Sequence, residues 1–112
     1  MRFVRHPFFE RNLIGIVDHI VEVTDGDAAA ALRRLDEIDL LLEAIVENPT
    51  SGVRLEGKLD GWMVRHGGVR HRLTIVFKPD IEAATVYLAL AALGGRNWMK
   101  LAANRQNFSG YE

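Results

Sequence analysis

The stretch from Gly61 to Trp98, GWMVRHGGVRHRLTIVFKPDIEAATVYLALAALGGRNW, constrains this chain more than any other. It reads as three consecutive antiparallel strands. Val64 to His66 is followed by Gly67-Gly68, a pair able to take the positive φ values of a tight hairpin turn. From Arg70 to Phe77 the residues alternate, with Leu73, Ile75 and Phe77 on one face and Arg72, Thr74 and Val76 on the other. Lys78-Pro79-Asp80 ends that run with turn chemistry. Thr85 to Leu93 is apolar almost throughout, the pattern of a strand covered on both faces or lying centrally. Arg65, Arg70, His71, Arg72 and Arg96 fall where these strands start and stop, so the expected sheet carries a basic rim.

The flanks read as what holds that sheet. Arg2 to His6 predicts a short first strand, and Pro7 suits the first turn of a helix, where its missing N–H costs nothing. Phe9, Leu13, Ile16, Ile20 and Val23 form one helical stripe over Phe8 to Thr24, with Gly15 inside it marking a close packing contact. After the break at Thr24 to Asp27, Asp27 is the expected N-cap of a second helix over Ala28 to Glu47. Its stripe is Ala31, Leu35, Ile38, Leu42 and Ile45. The short connection makes the two helices an antiparallel hairpin, and each single stripe must pack on the sheet. Asn48 to Gly52 is a helix stop, Val53 to Asp60 a mixed loop, and Met99 to Arg105 a short terminal helix. Gln106 to Glu112 lacks periodicity and reads as a mobile tail. The expected order is β-α-α-β-β-β with a short C-terminal helix, an α+β single domain over residues 1–112.

Composition excludes several classes. There is no cysteine, which rules out disulfides and thiolate metal sites, and no His/Asp/Glu spacing predicts another metal or a cofactor. No apolar run is long enough for a signal peptide or a membrane span, so a cytoplasmic protein is expected. The net charge of −1 hides an asymmetry: residues 1–52 carry −5 and residues 53–112 carry +4. An acidic helical half thus supports a basic sheet half able to attract an acidic partner, while near-neutrality argues against tight non-specific nucleic-acid binding.

Three local features, in this order on these elements, resemble the RelE/ParE toxin superfamily of bacterial type II toxin–antitoxin (plasmid stabilisation) systems. A helix is followed by Asn48-Pro49-Thr50-Ser51-Gly52, similar to the family's P-x-x-G stop. His71-Arg72-Leu73 precedes an alternating apolar run. The last strand ends Gly94-Gly95-Arg96-Asn97-Trp98, like the ParE-side ending in which Arg and an Asp or Asn precede an aromatic. The resemblance covers residues 2–105 and implies an antiparallel sheet with the helical hairpin on one face.

It also implies function. RNase members cleave messenger RNA in the ribosome, which requires a base for the 2′ proton, positive charge on the phosphorane-like transition state and an acid for the leaving oxygen. By resemblance Arg72 and Arg96 fall at the phosphate-facing arginines and Arg65 at a basic position on the preceding strand. Strand alternation lets Arg65 and Arg72 share the face opposite Leu73, depending on register. His71 is the candidate for proton transfer, beside His66, while His6 and His19 read as structural or solvent-facing. Met63 stands where some RNase members carry a second Lys, and no C-terminal Tyr or His supplies the acid or base. Those departures favour a ParE-like toxin that inhibits DNA gyrase by protein binding. The alternatives are a RelE-like endonuclease built on Arg65, Arg72, Arg96 and His71, and a non-toxic binding module. In each case the implied partner is an antitoxin whose acidic extended segment meets Arg70, Arg72 and Arg96, with Trp62 as an exposed contact. Trp98 reads as a core plug.

Overall fold

The computed structural model describes residues 1–94 and 98–106. Arg96 and the segment 107–112 therefore lie outside the described residues, as does any role expected of them. The element order is β1 (Arg2–Arg5), α1 (Pro7–Val23), α2 (Ala28–Glu47), β2 (Val53–Arg54), β3 (Met63–Gly67), β4 (Leu73–Asp80), β5 (Thr85–Leu93) and α3 (Trp98–Ala103). The α+β class and the helical hairpin match the sequence reading.

Both helices start on the residues that the sequence nominates. Pro7 opens α1, and the Nδ1 of His6 accepts the Phe8 N–H at 3.2 Å. Asp27 caps α2 through Oδ1, which accepts the Ala30 N–H at 3.1 Å. Phe9, Ile16 and Ile20 of α1 and Ala31, Ile38, Leu42 and Ile45 of α2 are buried, together with Leu41. Two expectations on α1 fail at its outer side. Val23 ends the helix 62% exposed, and a Cβ on Gly15 would meet nothing within 4 Å, so no close contact explains that glycine.

The sheet is mixed, not antiparallel. Its order is β1-β5-β4-β3-β2, and β1 runs parallel to β5 with Arg2 opposite Thr85 and Arg5 opposite Leu88. Parallel pairing is possible because five elements, α1, α2, β2, β3 and β4, separate β1 from β5, whereas a hairpin would force the two strands antiparallel. β2, expected as loop, pairs two residues with β3, Val53 opposite Val64 and Arg54 opposite Met63. β5, interior between β1 and β4, is buried on both faces, as its unbroken apolar run predicts.

β4 begins and ends later than the alternation suggests. It starts at Leu73, not Arg70, and runs on through Lys78, Pro79 and Asp80, which pair with Tyr87, Val86 and Thr85. Pro79 is tolerated there because β3 reaches only as far as Met63 opposite Phe77, leaving that end of β4 without a neighbour on its second side. The turn itself is Ile81 to Ala84, tied by the Asp80 carboxylate, which accepts the Ala83 N–H at 3.2 Å.

Two cores sandwich the sheet. Toward the helices, Phe9, Ile38 and Ile45 pack on Ile75, Phe77 and Leu88, all at most 2% exposed. Each such side chain contributes about 1.5–3 kcal/mol relative to exposure. On the other face, Trp62, Val64, Val76 and Leu90 lie under Leu59 and Ala102 of α3. A bulge switches β5 between the two. Val76 faces Leu90 and Phe77 faces Leu88, so Ala89 is the extra residue and both Ala89 and Leu90 join the second core.

Candidate functional site

The basic residues of the β3–β4 connection are positioned by an unusual turn. Gly68 has φ of 73°, and a Cβ there would sit 2.9 Å from Leu73 Cδ1 and 3.0 Å from Glu37 Oε2, so only glycine fits. Val69–His71 then forms one turn of 3-10 helix, in which the Gly68 carbonyl accepts the His71 N–H at 3.2 Å. Arg70 and His71, neither of them glycine, hold φ of 59° and 54°. That left-handed backbone is sparsely populated for side-chain-bearing residues and costs on the order of 1 kcal/mol or more each. Arg72 is pinned at the sheet end, its carbonyl accepting the Gly94 N–H at 2.9 Å. Arg70, His71 and Arg72 are all exposed.

This turn closes over the tip of the helical hairpin. Between them lies a cavity of about 360 Å³ that brings together His19 of α1, Arg34 and Glu37 of α2, and Arg70 and Arg72 of the turn. Arg34 donates to Glu37 Oε1 at 2.8 Å, with both side chains more than two-thirds buried. The side chains of Arg70 and Arg72 form no hydrogen bond or ion pair among the described residues. The cavity floor is apolar, with Ile20, Leu73 and Leu93. The sequence reading nominated Arg70 and Arg72 and missed Arg34, Glu37 and His19. Glu37 lies three residues from Arg34 on one helix, a spacing that reads locally as an ordinary surface pair. Only the fold carries that pair to the turn.

Arg65 is not part of this cluster. It faces the helices, opposite Ile75, so it does not share a face opposite Leu73 with Arg72 as expected. Its Nη1 donates to the carbonyl oxygen of Ala44 at 3.2 Å and to Ser51 Oγ at 2.5 Å. The guanidinium is thus a second donor to a carbonyl in the last turn of α2 that already accepts the Asn48 N–H, and positive charge suits the helix dipole there. Trp62, expected as an exposed contact, is 3% exposed because Leu59 and Ala102 cover it in the second core. Trp98 is half-buried against the same core, and its ring meets that of His66 edge-on at 6.3 Å. His66 Nδ1 lies 2.9 Å from Thr74 Oγ1, on the face away from the cleft.

A second polar cluster lies where β1 gives way to α1. Arg105, 9% exposed, donates from Nη1 to Asn12 Oδ1 at 2.5 Å and to the carbonyl of Ala89 at 3.1 Å. Asn12 Oδ1 also accepts the Ala91 N–H at 3.4 Å. β1 pairs with β5 only as far as Leu88, so these side chains satisfy the backbone that β1 leaves open around the bulge. Two guanidiniums lie over the Phe8 ring, Arg11 at 4.8 Å and Arg105 at 5.5 Å from its centroid. Burial lowers the pKa of Arg105; burial first, and the Arg105 charge second, lower that of His6.

Among the described residues no group of three or more His, Asp or Glu is placed to hold a metal, and no helix is long and apolar enough to cross a membrane. Neither protein-family models nor curated proteins give a match to the chain.

Proposed function

We propose that this chain is the toxin of a RelE/ParE-like type II toxin–antitoxin (plasmid stabilisation) module, acting in the cytoplasm by binding a protein target, with DNA gyrase the leading candidate. The observation that carries the protein-binding reading over RNA cleavage is the engagement of Arg65. A cleavage site built on Arg65, Arg72 and His71 needs these groups around one phosphate, with a proton acceptor in reach. Arg65 is instead bonded to Ala44 and Ser51 on the helix side, whereas Arg72 and His71 sit at the end of the sheet. The family likeness itself rests on the element order and on the Asn48–Gly52, His71–Leu73 and Gly94–Trp98 motifs.

An antitoxin with an acidic extended segment is the partner this reading requires, and the unpaired Arg70 and Arg72 are its docking charges. Brief induction in a bacterium, with growth followed and messenger 5′ ends mapped, tests the proposal. Growth arrest with intact messengers and inhibited gyrase supercoiling is the expected result. New cuts inside translated codons, lost in Arg72→Ala, would establish the endonuclease instead. Absence of arrest in a sensitive host would leave a non-toxic binding module.

A further inference from the structure

We propose that the cleft between the hairpin tip and the β3–β4 turn binds a phosphate dianion, free or as a small monoester, between Arg34, Arg70 and Arg72. The inference rests on the cleft alone and does not depend on the toxin reading. Charge selects the ligand. Three guanidiniums against the one carboxylate of Glu37 leave the lining at +2 with His19 neutral. A single carboxylate would neutralise half of that, whereas a phosphate monoester carries about −1.5 to −2 near pH 7.

Geometry agrees with charge. Guanidinium forks match pairs of phosphate oxygens, and three arginines line one cavity of about 360 Å³, large enough for a phosphate with a small organic body. The apolar floor of Ile20, Leu73 and Leu93 offers that body a surface. The backbone holds Arg70 there at φ of 59°, a conformation that local sequence does not favour. Glu37 has a defined part in this site. It is a resident carboxylate that holds Arg34 at 2.8 Å and competes with the incoming anion for it.

The test is titration of the intact protein, followed by amide chemical shifts, at constant ionic strength held with sodium chloride. Inorganic phosphate and phenyl phosphate are the probes. Saturable shifts confined to residues around His19, Arg34 and the Val69–Leu73 segment are expected. Tighter binding of phenyl phosphate would assign the site to monoesters; equal or weaker binding would assign it to free phosphate. Arg70→Gln with Arg72→Gln should weaken binding about tenfold or more, as loss of charge-assisted hydrogen bonds implies. Glu37→Gln should tighten it, an effect that a mere loss of structure cannot produce. Lys58→Gln, at a distant turn, should leave it unchanged. Non-saturable shifts, or equal affinity in the double arginine variant, would overturn the proposal. A protein that arrests growth but ignores phosphate removes this site alone; one that binds phosphate without arresting growth removes the toxin reading alone.

Discussion

The guanidinium of Arg65 donates to the carbonyl oxygen of Ala44, 21 positions earlier in the chain and 3.2 Å away. It joins the last turn of α2 to β3 at a carbonyl that also accepts the Asn48 N–H at 3.1 Å. Arg65→Ala should therefore destabilise the protein by about 1–2 kcal/mol, the worth of a charge-assisted hydrogen bond in a partly exposed site. Arg65→Lys should fall between, since the shorter side chain keeps the charge but not the reach of the Nη1 that meets both acceptors. Urea denaturation midpoints measure both. If Arg65→Ala abolished activity at unchanged stability, the residue would belong to a catalytic site after all.

Two glycines should respond to alanine with opposite signs. Gly15 lies in the exposed middle of α1 with open space where a Cβ would go, so Gly15→Ala should stabilise by about 0.5–1 kcal/mol. Gly68→Ala would force a side chain onto a φ of 73° and against Leu73 and Glu37, with an expected loss of about 1–3 kcal/mol. Thermal melts of the pair check the prediction within one assay.

Arg105 and Asn12 act as a unit around the β5 bulge. Arg105→Met and Asn12→Ala should each cost about 1–3 kcal/mol, because each leaves buried backbone groups of Ala89 or Ala91 without a partner. The double variant should cost less than the two together. A double-mutant cycle measures that coupling, and strict additivity would show that the two side chains stabilise independently.

His6 predicts an acid-side loss of stability. Its pKa in the folded protein lies below the ordinary value of 6.5, chiefly through burial and then through the Arg105 charge. The unfolded chain therefore takes up its proton first as pH falls. The stabilisation from a neutral His6 is fully present above pH 6.5 and is lost on acidification through the lower, folded-state pKa. His6→Asn keeps an N-cap acceptor without titrating, so the slope of stability against pH in that window should flatten. An unchanged slope would assign the acid sensitivity to other groups.

Much of the fold was legible because its signals are local. The stripes at Phe9, Ile16 and Ile20 and at Ala31, Ile38 and Ile45 have a helical period, Asp27 is a capping residue in a capping place, and Thr85 to Leu93 is too apolar for an edge. What failed depended on contacts between distant segments. Arg70 and His71 looked like strand residues because nothing in arginine or histidine announces a left-handed backbone, so β4 appeared three residues too long at its start. Trp62 looked exposed because its covers, Leu59 and Ala102, belong to a turn and a distant helix. The face of Arg65 stayed open for the same reason: the register that sets it opposite Ile75 is decided by a turn whose length the glycines do not reveal. At the candidate site the sequence showed the arginines of the turn, and the helices' contribution of His19, Arg34 and Glu37 became visible only with the hairpin in place.

The parallel pairing of β1 with β5 also sets a timetable for synthesis. β1 finds its partner only after Thr85 to Leu88 have been made, and until then the place between β1 and β4 is vacant. β4 waits for the same segment, since its longer ladder is also with β5. A nascent chain interrupted before Thr85 can form the helical hairpin, whose contacts are local, but it cannot close either core. Folding is thereby deferred until β5 has been made, and a product terminated before it is left as bait for proteases, with its apolar faces uncovered.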